Sequence, residues 1–401
     1  LHPVAHSFPT RRSSDLIIVK NIKLLKSNGH GLFFFKCDNA NADNIFVDAS
    51  YRSGIIFSKC NSEFGQSYVK NSIVTKFSNM LIKDQDNWWA AGIVGGNTKN
   101  LQMTHNKVYE GYGEGLYIGS LGPNNITENC IIENNLVYNN RAVQIYAFNT
   151  KNNIIRHNFI YGTSDSKFNT RYIVDNKSYA GSGIYVADEY KWDSGPQYGK
   201  IKVYGNTVFN CWSGLHLGFS MDGTVLKNSS FVNNSFIDCH TGIVISGYKA
   251  ENTYIMNNII YDINNDDNLY RGLNDIKNIV FDYNLWSSAM EGSLQGQHDP
   301  DPAAPGYEYI KNIINENSLD VNLFNLSGTS PAIDTGKSLA DLYAKIIDSK
   351  GSSYHGNFKL EFQDQHSCGN DWEIGADVYC QDSTDTIIYP PTDLNLEIIS
   401  N

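Results

Sequence analysis

Charge is scarce in this chain, and positive charge is the scarcer kind. Only 18% of its 401 residues are charged, with 31 Lys and Arg against 42 Asp and Glu, a net charge of −11 and a pI near 5.3. Nucleic acid and anionic membrane surfaces are excluded as partners on that balance, because nothing would neutralise their phosphates. No apolar run approaches the roughly 18 residues that span a bilayer, so no transmembrane segment is expected. Five methionines and dispersed Cys and His leave a soft-metal site without support. No CxxC or Cys/His cluster has the spacing of structural zinc. An export signal is not legible either: residues 1–16, with Pro9-Thr-Arg11-Arg12-Ser-Ser-Asp15, have no periodicity and read as an artefact or disordered leader.

What the chain does contain is repetition. Asn followed by apolar residues recurs at intervals of roughly 23 to 30 residues in most cases: Asn44-Ile-Phe-Val, Asn71-Ser-Ile-Val, Asn106-Lys-Val-Tyr, Asn135-Leu-Val-Tyr, Asn158-Phe-Ile-Tyr, Asn206-Thr-Val-Phe, Asn234-Ser-Phe-Ile and Asn258-Ile-Ile-Tyr, with weaker copies at Asn21 and Asn284. A Gly-led motif runs in phase with it: Gly31-Leu-Phe-Phe, Gly54-Ile-Ile-Phe, Gly92-Ile-Val, Gly115-Leu-Tyr-Ile, Gly183-Ile-Tyr-Val, Gly214-Leu-His-Leu and Gly242-Ile-Val-Ile. Each unit is too short to bury its own apolar face, so successive units must stack about 4.8 Å apart and share one core. Asn at one register implies amides hydrogen-bonding along the stack.

On these motifs the chain resembles the right-handed parallel β-helix superfamily of pectate-lyase-like and NosD-like repeat proteins. The resemblance implies an all-β solenoid of about ten rungs over residues 17–290, and it is specific to fold, not to activity. Ser330-Pro-Ala-Ile-Asp334 and Glu373-Ile-Gly-Ala-Asp377 are similar to the segment that often follows the solenoid in secreted bacterial members. Residues 291–380 are therefore expected to pack on or cap the solenoid, and the Thr-, Pro- and Asp-rich 381–401 to lead into a further module.

Cysteines test the register. Cys37 with Cys60, and Cys211 with Cys239, fall at matching places one repeat apart. Each pair should stack, as buried thiols pointing alike in place of a disulfide. Cys368 and Cys380, in the tail, are the better disulfide candidates and fit an oxidising compartment.

Alternation within the Gly-led strands sends Leu116 and Ile118, Ile184 and Val186, Leu215 and Leu217 inward. The outward column then reads Phe33, Ile56, Val94, Tyr117, Gln144, Tyr185, His216 and Val244, apolar at both ends and polar-aromatic in the middle. Long insertions interrupt the repeat there. One holds Asp84-Gln-Asp-Asn-Trp88-Trp89, another Ser120-Leu-Gly-Pro-Asn124, a third Arg171 and Lys177, and a fourth Asp188-Glu189-Tyr-Lys191-Trp192-Asp193. Together they would wall a groove in which Trp88, Trp89, Tyr117, Gln144, Tyr146, Tyr185 and Trp192 bind sugar rings through aromatic faces and polar rims.

Candidate catalytic groups follow from that groove. Glu114 sits between two glycines at the edge of the Tyr117 strand, and aligning Val143 with Leu116 puts Arg141 one rung away. Asp188, Glu189 and Asp193 form a second acidic cluster. Together with Glu114 they supply the two carboxylates of a glycoside hydrolase, or they hold calcium, which takes several carboxylate oxygens. A lyase instead needs a base and a cation, for which His216, Tyr117, Tyr185, Lys191 and Arg171 are candidates. The reading is a secreted, monomeric polysaccharide lyase or hydrolase at the cell surface, in the periplasm or outside the cell. The alternative is a glycan-binding or adhesion solenoid without catalysis.

Overall fold

The computed structural model describes residues 16–61, 67–79, 90–120, 126–163, 166–169, 172–174, 176–188, 199–219, 226–246, 250–261, 269–272, 279–286, 296–301, 326, 329–339 and 374–376. The described residues form strands and turns, and no helix among them is long and apolar enough to cross a membrane.

Each repeat travels once around a coil. The Gly-led motif forms one strand per turn, and nine of these stack in parallel among the described residues: Leu32–Phe35, Ile55–Ser58, Ala91–Gly96, Glu114–Gly119, Val143–Phe148, Ser182–Asp188, Ser213–Phe219, Thr241–Ser246 and Leu269–Gly272. The Asn motif forms two short strands meeting at a hinge, as in Ile131–Glu133 with Leu136–Tyr138, followed one rung on by Ile154–Arg156 with Phe159–Tyr161. These join an 18-stranded sheet whose rung-to-rung pairings are all parallel. The chain is a parallel β-helix.

The hinge explains why Asn recurs. The residue before the motif Asn has left-handed backbone at every rung from His105 onward: φ is 53° at His105, 53° at Asn134, 52° at His157, 63° at Gly205, 51° at Asn233, 54° at Asn257 and 56° at Tyr283. Left-handed geometry turns the chain sharply between the two short strands. The following Asn then points inward. Asn106, Asn135, Asn158, Asn206, Asn234, Asn258 and Asn284 form a buried ladder in which each Nδ2 donates to the next Oδ1 over 2.9–3.1 Å. Each amide also takes up backbone groups that the hinge leaves without a strand partner; Asn206 Nδ2 donates to the carbonyls of Ile155 and Tyr204, and Asn158 N donates to Asn206 Oδ1. The ladder closes on a carboxylate, because Asn284 N donates to Asp299 Oδ1 at 2.8 Å and Trp286 Nε1 to Asp299 Oδ2 at 2.7 Å.

Two early motif copies are offset from this ladder. The hinge positions equivalent to the ladder Asn are Ser72, which receives Ile45 N on its Oγ and donates its own N–H to Asn106 Oδ1, and Ile45. Asn71 and Asn44 are the left-handed residues that precede them, with φ of 52° and 55°, and Asn44 Nδ2 reaches the exposed Asn21.

The glycines answer a different demand. A Cβ at Gly92 would lie 2.4 Å from Val108 Cγ1 and 2.8 Å from the Gly115 carbonyl of the next rung, so the Gly-led strand approaches the second short strand too closely for a side chain. Inside, Ile93, Leu116, Ile145, Ile184, Leu215 and Ile243 form one fully buried column. Cys37, Cys60, Cys130, Cys211 and Cys239 are buried free thiols. Cys368 and Cys380 lie outside the described residues.

Part of the tail packs on the coil. Leu326, Ala332 and Ile374 cluster with Ile259 and Leu285, Leu339 joins Ile131, Ile154 and Tyr204, and Gly375 N donates to Asn257 O at 2.7 Å.

Candidate functional site

Register decides which side chains share the outer face of the Gly-led sheet. Tyr117 pairs with Tyr146, Tyr146 with Tyr185, Tyr185 with His216 and His216 with Val244, while Val94 precedes Tyr117. The column expected to pass through Gln144 therefore passes through Tyr146. Gln144 takes the place that glycine holds on the neighbouring rungs, opposite Gly115 and Gly183. It is fully buried, and its side chain turns back on Asn140, with Nε2 donating to Asn140 O at 2.7 Å and Oε1 accepting from Asn140 Nδ2 at 2.9 Å. This rung has no Gly to mark its register, and the sequence alignment slipped there by two residues.

The outer column is a ladder of rings. Tyr146 stacks on Tyr185 with centroids 5.0 Å apart, and Tyr185 on His216 at 4.1 Å and 10° between planes. Stacking at the rung spacing turns the ring faces toward one another along the column. Tyr146 is buried by its neighbours, whereas Tyr117, Tyr185 and His216 are half-exposed. The order breaks at Tyr117, which meets Tyr146 at 70° and 5.7 Å. Phe148, 6.3 Å from Tyr117, occupies the adjacent outward place on the Tyr146 strand.

His216 anchors the other end. Its Nε2 lies 2.8 Å from Ser246 Oγ, and burial lowers its pKa to about 4, which keeps the ring neutral across the physiological range. Ser246 escaped the sequence reading; it lies on the Val244 strand, two residues past the column.

Of the candidate carboxylates, Glu114 and Asp188 do not meet. Glu114 aligns with Val143 and hence with Ser182, the first residue of the seven-residue strand whose last is Asp188. At roughly 3.3 Å per residue that places them about 20 Å apart along the strand direction, too far for the two carboxyls of one glycosidase. Arg141 is also displaced: its N–H donates to Gly111 O, and no ion pair joins it to Glu114 among the described residues. Asp188 is buried, accepts from Asn149 Nδ2 at 3.1 Å, and lines a small recess with Thr150, Val186, Gly199, Ile201 and Leu226. Burial pushes its pKa up to about 7. Trp88, Trp89, Glu189, Trp192 and Asp193 lie outside the described residues, as do Arg171 and Lys191.

No family model matches the sequence, and no curated protein does. Among solved structures, the chain is similar to pectate lyase Pel9A at 12% identity, over 88% of this chain and 87% of that one, with a TM-score of 0.44. A tailspike protein of E. coli bacteriophage HK620 in complex with a pentasaccharide is 12% identical over 68% of this chain and 47% of its own, so the chain spans about half the tailspike's length; the TM-score is 0.43. The catalytic domain of a GH87 alpha-1,3-glucanase in complex with tetrasaccharides is 12% identical over 67% of this chain and 64% of its own, at a TM-score of 0.28.

A charged network on another face was also missed. Glu133 and Arg156 pair across neighbouring rungs, with Arg156 Nε and Nη2 at 2.6 and 2.5 Å from Glu133 Oε2 and Nη1 donating to Tyr204 OH at 3.0 Å, while Gln102 Nε2 donates to Glu133 Oε1. Opposite charges at one register of successive repeats were the signal that could have revealed it. The network joins side chains of successive rungs, so it ties those rungs together.

Proposed function

We propose that this β-helix binds an extended polysaccharide, outside the cytoplasm, along the outer face of its Gly-led sheet. One observation carries the reading: Tyr117, Tyr146, Tyr185 and His216 stand on four successive rungs in a single outward column. A surface that repeats at the rung spacing of about 4.8 Å suits a ligand that repeats too. Ring edges, phenol hydroxyls and an imidazole are amphipathic, as sugar rims and C–H edges are. Apolar Ile56 and Val94 before the column and Val244 after it confine the polar-aromatic part to the central rungs.

A second reading, turnover, rests on Asp188. A carboxyl that titrates near 7, at the end of the Tyr185 strand, suits a general acid. On this reading Glu189 or Asp193 serves as its partner or shares a calcium ion with it, Trp88, Trp89 and Trp192 wall the groove, and Glu114 with Arg141 lies at the far end of the strands.

The test is a panel of hydroxyethylcellulose, xyloglucan, polygalacturonate and alginate, with and without calcium, scored by gel retardation, new reducing ends and unsaturated-product absorbance. Retardation without product supports binding alone. Product that disappears in Asp188→Asn supports turnover, unsaturated absorbance marking a lyase and reducing ends alone a hydrolase. No retardation and no product on any polymer would remove both readings.

A further inference from the structure

Two glycines on the outer face do something that glycines elsewhere on the sheet do not. A Cβ built on Gly119 would lie 2.1 Å from the Tyr117 hydroxyl and 2.3 Å from Tyr117 Cζ; one on Gly218 would lie 2.3 Å from the Tyr185 hydroxyl and 2.4 Å from Tyr185 Cε2. Both tyrosines thus fold down until the phenol rests against bare backbone. Gly96, in the same outward column, has no such burden, its nearest contact being Val94 Cγ1 at an ordinary 3.8 Å.

The directions of lean differ, and the difference has a cause. Tyr185 leans across to the next rung, over Gly218, which pairs with Ala187; His216 leans the same way, to Ser246, which pairs with Gly218. The equivalent place for Tyr117 is filled by Phe148, which pairs with Gly119. Tyr117 therefore lies along its own strand over Gly119, and this is why it meets Tyr146 edge-on where the other rings stack.

We propose that Gly119 and Gly218 are positioning residues for the ligand surface, holding the phenols of Tyr117 and Tyr185 at sheet level so that the polymer lies against a level floor. This rests on the polysaccharide reading above. The colliding atoms are the far ends of tyrosine side chains and not backbone, so an added methyl displaces the ring and leaves the coil in place. Neither glycine touches the ligand through a side chain; each acts through one tyrosine.

Double-mutant cycles test this in two arms. In the first, without ligand, Gly218→Ala changes the tyrosine near-ultraviolet circular dichroism of the full chain but has no further effect in a Tyr185→Ala background; Gly119→Ala behaves likewise with Tyr117→Ala. Gly96→Ala leaves the spectrum unchanged, and thermal melts and far-ultraviolet spectra of all variants confirm the fold. In the second arm, retardation by whichever polymer of the panel holds the wild type weakens at least five-fold in Gly218→Ala, with no additional loss when Tyr185→Ala is already present. Additive spectral effects would overturn the positioning role, as would wild-type affinity in both glycine variants. If no polymer retards the wild type, the polysaccharide reading falls and takes the ligand role of the glycines with it, while the first arm still decides whether they set the ring pose.

Discussion

The buried Asn ladder and the outward column of the Gly-led sheet are both built by stacking side chains from rung to rung, and they obey different rules. In the inner column Asn is repeated on seven consecutive rungs, Asn106 to Asn284. In the outer column Val94, Tyr117, Tyr146, Tyr185, His216 and Val244 follow one another at the same spacing, with Tyr on three rungs but no residue held along the whole column. The inner side chains complete backbone hydrogen bonds at a buried hinge, where a missing partner costs roughly 1–3 kcal/mol. The outer side chains owe the backbone nothing. Constancy thus marks what the coil requires, and variation marks where the coil leaves the side chain unconstrained.

Substitutions sharpen the contrast. Asn206→Ala removes the donor to two carbonyls and the acceptor for Asn158 N and Nδ2, so urea unfolding should show a loss of roughly 4 kcal/mol, or the variant should fail to fold. The next effect in size depends on pH. The Asp188 pKa is raised above that of an unfolded Asp, so the native state holds this proton more tightly, and stability falls as pH rises from about 4 through about 7. Asp188→Asn should therefore flatten the melting temperature against pH over that window and be the more stable protein above pH 7. A melting curve whose pH dependence matches the wild type would place the titration elsewhere.

Tyr185→Ala should cost only about 1 kcal/mol of stability, the order of an aromatic pair at a half-exposed site, while weakening polymer retardation measurably without abolishing it. The smallest effect is expected at the ladder's end: Asp299→Asn keeps an oxygen for Asn284 N and should change the melting temperature by less than Asp299→Ala.

The inner column was easier to read from the sequence than the outer one. Asn135, Asn158, Asn206, Asn234 and Asn258 recur because the hinge needs them, and that recurrence gave the fold. Even there, Asn44 and Asn71 were one residue off, since the left-handed position favours Asn as much as the ladder does. On the outer face no one residue type runs the length of the column, so register had to be borrowed from the glycines. Where Gln144 replaces glycine the borrowing failed, and Tyr146 was displaced from its column. The spacing of Glu114 from Asp188 and the hydrogen bond from His216 to Ser246 depend on where each residue falls along a strand and across rungs, which no single motif encodes.

The most direct test of the outer column as the ligand surface is tyrosine nitration of the full chain, with and without the retained polymer, mapped by peptide mass spectrometry. Protection at Tyr117 and Tyr185, with Tyr68 and Tyr254 on the other sheet nitrated equally in both samples, is the predicted result. Protection at Tyr68 or Tyr254 with none at Tyr117 and Tyr185 would contradict it.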